Sequence, residues 1–312
     1  MAVLTVEQIL SGNALGLSSG LSDLLFLEMD GRTVLYGLSR TENQLVEIDV
    51  ASDGSLSFAG ALSVQGTFPA GSEPLLGHAI TANGETRLTL AGMPATDGQL
   101  VSLSANGALG AQQFSPVGQL VAPVAIDLAG TPGMLSGKSG GGVNLYLDTG
   151  SGFVWSAGLN DTTDRYLADV SASTAFVQEG IVYAATLSAS EDGVNIVSLT
   201  SESITQVGAL GAAEGLPVDL PSDIDALQRL DETLLLVAAK GTNSVSVIRI
   251  DSGVPYLADH ILDSEDTRFQ QASALDTITY GDFAFVAVGG AEGGISLLTV
   301  LPGGRLIHLD SI

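Results

Sequence analysis

A chain of 312 residues with 45% hydrophobic content and no cysteine has room for one large all-β domain or two ordinary ones, cannot use disulfides or thiolate metal sites, and must hold its fold by packing alone. Its 35 acidic residues face ten basic ones, for a net charge of −25, which excludes duplex nucleic acid and anionic membrane as partners because their phosphates call for Lys and Arg. Two readings of that charge stand side by side: a solvation device for a salty or crowded medium, and a surface that gathers cations such as calcium.

Taken in chain order, the first residues, Met1-Ala2-Val3-Leu4-Thr5-Val6-Glu7-Gln8, carry no basic region and no long apolar core. They read neither as a secretory signal nor as a membrane span. The chain is then either cytoplasmic or exported by a signal elsewhere, and the avoidance of cysteine favours export, to the cell surface or beyond it. The β-prone piece Val3–Ile9 is expected to close a ring fold by adding an outer strand to the last unit, or to belong to a unit completed by sequence outside this chain.

From Leu21 onward the chain reads as about six units, each about 45 to 54 residues long, a period typical of propeller blades. The first, Leu21–Leu62, turns at Asp30-Gly31 and Ser52-Asp53-Gly54; the second, Leu75–Leu120, turns at Asn83-Gly84 and Asn106-Gly107. The third, Val124–Leu159, turns at Gly130-Thr131-Pro132-Gly133 and Thr149-Gly150-Ser151-Gly152; the fourth, Val170–Leu210, at Glu179-Gly180 and Ser201-Glu202-Ser203. The fifth, Ile224–Leu262, shows the pattern most openly, with apolar runs Ile224–Leu230, Leu234–Ala239, Ser244–Ile250 and Pro255–Leu262 and turns at Asp231-Glu232 and Asp251-Ser252-Gly253. The sixth, Ala272–Ile312, turns at Gly281-Asp282 and Pro302-Gly303-Gly304.

Asn-Gly and Asp-Gly supply the positive φ that two-residue hairpin loops need. Small residues embedded in the second apolar run of several units, as in Leu35-Tyr36-Gly37, Tyr183-Ala184-Ala185 and Val237-Ala238-Ala239, allow close face-to-face approach of neighbouring sheets. No segment sustains a 3.6-residue period, so helix is confined to a turn near Thr5–Ser11 or Asp263–Gln270. These observations predict an all-β chain forming one β-propeller of about six four-stranded blades over residues 1–312, with seven blades as the alternative.

In such a fold the loops from second to third strands share a face with the connections between blades. Arg40, Lys138 and Lys240 fall just after the second strands, Asp23, Asp169 and Asp223 at the entries to the innermost strands, and His78 nearby in the second unit. Alternating cations and carboxylates around an axis make a candidate small-ligand face, with Arg40, Lys138, Lys240 and His78 as its ligand candidates and Asp23, Asp169 and Asp223 as oxygen donors for Ca2+. The competing structural reading has each cation pair with a neighbouring aspartate and staple the blades. No Gly-x-Ser-x-Gly elbow occurs, His78, His260 and His308 share no zinc-ligand spacing, and no Gly-Lys-Ser/Thr follows Gly137–Gly142. His260 and His308 fall in outermost strands, where an exposed edge histidine is expected. Phe153 and Trp155, also in an outermost strand, offer an aromatic platform to a sugar or, more commonly, pack between blades.

The last unit, with Phe283-Ala284-Phe285-Val286-Ala287-Val288-Gly289-Gly290 followed by Gly294-Ile295-Ser296-Leu297-Leu298-Thr299-Val300-Leu301-Pro302-Gly303-Gly304-Arg305-Leu306-Ile307-His308-Leu309-Asp310, resembles the propeller-like region of hemolysin-type calcium-binding (RTX) proteins of marine bacteria. That resemblance implies a secreted protein in which calcium-binding nonapeptides follow the propeller, but no Gly-Gly-x-Gly-x-Asp run is present to receive that role. In architecture the blades are also similar to lactonase-like propellers, some of which hydrolyse lactones with a calcium ion in the axial channel. The expected function is a non-enzymatic extracellular recognition or assembly module that presents a loop-rich face to a protein or glycan at a bacterial surface. A calcium-dependent hydrolase and a structural subunit of a larger particle or fibre are the alternatives.

Overall fold

The computed structural model describes residues 4–10, 14–15, 17, 21, 23–39, 41–68, 73–93, 96–150, 152–229, 232–251 and 253–312. Among them the chain is built from β-strands, with one 3-10 turn at Ala212–Glu214 and no α-helix. In order the strands are β1 (Asp23–Met29), β2 (Arg32–Ser39), β3 (Gln44–Val50), β4 (Leu56–Ser63), β5 (Glu73–Ala82), β6 (Glu85–Met93), β7 (Thr96–Leu103) and β8 (Leu109–Leu128). Then come β9 (Thr131–Gly137), β10 (Val143–Asp148), β11 (Phe153–Leu159), β12 (Val170–Gln178), β13 (Ile181–Ser188), β14 (Gly193–Thr200) and β15 (Ser203–Leu210). The last eight are β16 (Pro221–Arg229), β17 (Glu232–Ala239), β18 (Ser244–Asp251), β19 (Val254–Leu262), β20 (Ala274–Tyr280), β21 (Phe283–Gly289), β22 (Ile295–Val300) and β23 (Leu306–Ser311).

These strands form five sheets in a propeller-like fold: four of four strands, each an up-and-down meander, and one of seven in the order β11-β10-β9-β8-β7-β6-β5. Six separate sheets were expected, and the seven-stranded one corrects that reading. The second and third predicted units are fused, because β8 runs on without a loop. It pairs with β7 as far as Leu120 and with β9 from Val121, bending where Ala122 takes a positive φ of 43°. One strand thus ends one unit and begins the next.

The predicted hairpins are otherwise met closely. Asp30-Gly31, Asn83-Gly84 and Glu179-Gly180 each have positive φ at both residues, the twist that a two-residue loop between right-twisted strands demands. In the third unit the turn is Ala129-Gly130, and Thr131, Pro132 and Gly133 belong to β9 instead. Glu232, placed in a turn by the sequence reading, opens β17; its expected companion Asp231 lies outside the described residues, as do Ser151 and Ser252.

The chain divides into two compact units: Met1–Thr5, Gly140–Asn144 and Ala157–Ile312 in one, Val6–Ser139 and Leu145–Ser156 in the other. In the C-terminal unit, period-2 alternation along β17 splits its side chains between two cores. Leu235, Val237 and Ala239 pack with Phe176, Leu187, Val194 and Ile196 of the sheet before, and Leu234, Leu236 and Ala238 with Ala284, Val286, Val288 and Leu298 of the sheet after. Every residue of β17 from Thr233 to Ala239 is buried, so this strand has no solvent face.

In the other unit, Val34, Tyr36, Leu38 and Leu45 pack against Leu76, Leu88, Leu90 and Val101. The opposite face of the β1–β4 sheet, at Val46 and Ile48, is covered by Leu15 and Leu17 rather than by another strand. Residues 4–10 form no strand. The Leu4 amide donates to Asp310 Oδ2 (2.8 Å), and the Gln8 side chain exchanges two hydrogen bonds with the Leu56 backbone (2.7 and 2.8 Å). Arg32 pairs with Glu47 and with Asp49, and the nearly buried Glu47 carboxylate also accepts from the Leu109 amide of β8 (2.8 Å), tying two sheets together.

Truncating Leu235 or Leu236 to Ala opens a cavity in one or the other of two separate cores, so each variant should lose about 2–5 kcal/mol of unfolding free energy. The double variant should lose close to the sum if the cores are independent. Urea denaturation reads both; a near-zero loss in either single variant would contradict the two-sided burial.

Candidate functional site

Strand entries and strand exits carry the sequence-predicted residues. Lys138 follows β9 directly and Lys240 follows β17, as expected for positions just after second strands, while Arg40 lies outside the described residues. His78 lies within β5 at an irregularity in its pairing; its backbone bonds in both directions with the Thr89 hydroxyl (2.7 and 2.9 Å). Asp23 opens β1 and accepts from the Leu24 amide (3.0 Å).

In the C-terminal unit the innermost strands β12, β16 and β20 lie side by side, and their carboxylates meet backbone amides. Asp223 accepts from the Ile224 amide (2.9 Å) and, across to the next sheet, from the Leu275 amide (2.8 Å). Asp225 repeats this two residues on, accepting from the Thr277 amide (3.2 Å) and hydroxyl (2.6 Å). Serines add to the same seam: Ser171 donates to Pro221 O (3.1 Å) and Ser222 to Ala272 O (2.6 Å). Asp169, just before β12, accepts from the Ser188 hydroxyl (2.9 Å) and from both the amide and the hydroxyl of Ser190 (3.0 and 2.6 Å). Among the described residues no three His, Asp or Glu side chains group as a metal site.

A second seam, which the sequence reading missed, joins two second-to-third-strand turns, β13–β14 and β17–β18, to the entry of the next sheet. Asp192 and Asn243, both at positive φ, accept from the amides of Leu220 (2.8 Å) and Gln271 (2.7 Å), themselves at positive φ. The signal was present as an Asx residue at a fixed offset after the second strand, at Asn43, Asp192 and Asn243. At the same turn Gly241 passes so close to Asp219 that a Cβ would lie 2.2 Å from its Oδ2.

Charge is tuned locally by these contacts. Burial opposes ionisation of Asp169, but the hydrogen bonds from Ser190 and Ser188 outweigh it and hold the carboxyl below the usual carboxylate range. Asp276, on the open face of β20, moves the other way: crowding by protein atoms and then the neighbouring Asp225 charge push it up. His260 is lowered by burial against the pull of Asp259, and its ring bonds to Ser246 (2.9 Å). His308 bonds to Ser311 (2.8 Å), so both outer-strand histidines are half-buried and bonded where exposed edges were expected. Trp155, by contrast, is 60% exposed on β11, not packed between sheets.

A hollow of about 430 Å³ opens between the β12–β13 and β16–β17 turns. Val177, Gln178, Glu179, Gln228, Arg229, Glu232 and Thr233 line it. It lies at the opposite end of β17 from Lys240, away from the face the sequence reading selected. Gln228 Nε2 donates to Val177 O (2.5 Å), and Glu232 accepts from Arg249 (3.1 Å) and from the Gly303 amide (3.1 Å), so these walls are fixed by neighbouring sheets. An amide-, guanidinium- and carboxylate-lined hollow of this size matches the hydrogen-bonding needs of a small polar ligand.

The chain matches no family model and no curated protein sequence. Its fold is shared with solved structures of low identity. A putative 6-phosphogluconolactonase from Bacteroides uniformis is 11% identical at a TM-score of 0.63, over 89% of this chain and 82% of that one. A hypothetical selenium-binding protein from Sulfolobus tokodaii is 11% identical at 0.61, over 91% and 76%. SapL1 lectin, solved with alpha methyl fucoside, is 9% identical at 0.58, over 93% and 95%. Among the described residues no helix is long and apolar enough to cross a membrane.

Two predictions follow from opposite titration shifts. Because the Asp169 value is depressed in the folded state, its stabilisation is complete above the unfolded value of about 3.9 and is lost as pH falls through the folded one. Thermal melts between pH 5 and 2 should therefore show the wild type losing stability more steeply than Asp169→Asn; parallel curves would refute the assignment. Asp276 has the reverse sign, with a penalty that grows as pH rises from about 3.9 through its raised folded value. Asp276→Asn should melt at a higher temperature than wild type at pH 7, with the gap closing in acid, and a lower melting temperature at pH 7 would count against the Asp225 repulsion.

Proposed function

We propose that the protein is a non-enzymatic recognition module that binds glycan, acting at a bacterial surface or as a secreted protein. The observation that carries this reading is the hollow between the β12–β13 and β16–β17 turns, whose walls are amide, guanidinium, carboxylate and hydroxyl groups held in place by hydrogen bonds to neighbouring sheets. Sugar hydroxyls both donate and accept, and such mixed walls serve both needs. The likeness to SapL1 lectin in complex with alpha methyl fucoside lends support at the level of fold. Secretion, which the resemblance to hemolysin-type proteins implies, belongs to the same proposal, whereas calcium use belongs to the second reading below.

A second reading, a calcium-dependent lactonase-like hydrolase, draws on the likeness to a putative 6-phosphogluconolactonase and on the Asp225–Asp276 pair, whose mutual repulsion a cation would relieve.

A glycan array followed by calorimetry on hits, with and without calcium, separates the two. The recognition reading expects saturable binding of at least one glycan in the presence of chelator and no turnover of sugar lactones. Lactone hydrolysis that needs calcium, together with a calcium-induced rise in melting temperature, would replace it by the hydrolase.

A further inference from the structure

We infer that the hollow between the β12–β13 and β16–β17 turns takes a vicinal diol of a neutral saccharide, with Arg229 and Gln178 as the residues that recognise it. This inference rests on the glycan reading above and specifies its ligand.

Arg229 Nη1 donates to Val300 O in the neighbouring sheet (2.7 Å), which anchors one edge of the guanidinium. Its Nε and Nη2 are buried and have no hydrogen-bond partner among the described residues. Gln178 Oε1, on the same hollow, is likewise buried and unpartnered. A desolvated donor or acceptor left unmade is costly, and a charged one more so, so a ligand that answers these groups gains the difference.

What remains unpaired is two parallel donors and one acceptor. A carboxylate would answer Nε and Nη2 as a fork but would offer nothing to Gln178 Oε1, and it would bring negative charge beside Glu179 and Glu232 in a chain of net charge −25. An ammonium would suit Gln178 and the glutamates but would face the guanidinium. Two adjacent hydroxyls meet all three demands: their oxygens accept from Nε and Nη2, and one hydroxyl proton goes to Gln178 Oε1. Gln228 and Glu232, held by Val177 and by Arg249 and Gly303, keep the walls in place while this happens. Because Arg229 Nε and Nη2 and Gln178 Oε1 are all closed to solvent, both side chains must turn toward the hollow as the ligand seats, and Arg229 loosens its bond to Val300.

The test uses isothermal titration of the full chain with methyl glycosides of mannose, galactose and fucose, each bearing a cis diol, with the di-O-methyl derivatives blocked at that diol, and with galacturonate. At least one neutral glycoside should bind, blocking its diol should weaken it about tenfold or more, and galacturonate should bind no better than galactoside. Gln178→Ala should weaken the neutral glycoside about tenfold. Arg229→Lys, which keeps charge but loses the fork, should weaken it as well. Wild-type melting temperature in Gln178→Ala would show that the loss is not unfolding. Equal binding of the blocked derivative, a preference for the uronate, or full affinity in both variants would overturn the diol site while leaving glycan recognition standing. Binding of no saccharide in either the titrations or the array would remove both.

Discussion

The structure depends on a sheet that is apolar on both faces. The β16–β19 sheet buries the whole of β17 from Thr233 onward, and its alternating side chains feed two different cores. Such a sheet cannot stand with either face in water, since each buried aliphatic side chain is worth about 1.5–3 kcal/mol only if the other side is covered as well. Like neighbours on either side satisfy this demand, which is why the chain repeats one meander instead of building a single two-layer sandwich. On the β1–β4 sheet, Leu15 and Leu17, neither of them in a strand, pack on Val46 and Ile48.

Once apolar faces are packed, the seams between sheets are closed by polar groups, and here the composition leaves its mark. With 35 acidic residues against ten basic ones, most carboxylates must find donors other than Lys or Arg. They find backbone amides. Asp223 and Asp225 bond to amides of β20, Asp192 to Leu220, Asp259 to Leu306 (2.7 Å) and Glu47 to Leu109. Charge-assisted bonds to N–H are stronger than neutral ones, so an acidic chain can be stapled by its own carboxylates without matching cations. Arg32 with Glu47 and Asp49 is a local exception, held where Tyr36 is buried beside it and its hydroxyl is pushed up by burial and by the Glu47 charge.

This use of carboxylates bears on function. Asp169 and Asp223, which look like free oxygen ligands in the sequence, are engaged by backbone amides and serine hydroxyls, whereas buried polar atoms of Arg229 and Gln178 stand without partners among the described residues beside the hollow at the other end of the strands. A hairpin end is a natural place for such a feature: two neighbouring turns diverge beyond the packed part of their sheets, and the last residues of each strand are left facing one another.

The alternation of apolar and polar residues, the recurring two-residue turns and the small residues in second strands were enough by themselves to determine the all-β class, the meander order and nearly every strand, because these depend on local φ preference and on period-2 burial. Ile224–Leu262 is the clearest instance, with all four runs within three residues of β16 to β19. Tertiary structure alone decided what depends on distance in space rather than along the chain. That includes the fusion of two units through β8, where no turn residue signals a break and only the change of partner at Val121 divides the strand. It includes the choice of backbone amides over lysines as partners for Asp223 and Asp225, and the meeting of Gln178 with Arg229, which lie fifty residues apart and gain meaning only when two sheets are laid face to face.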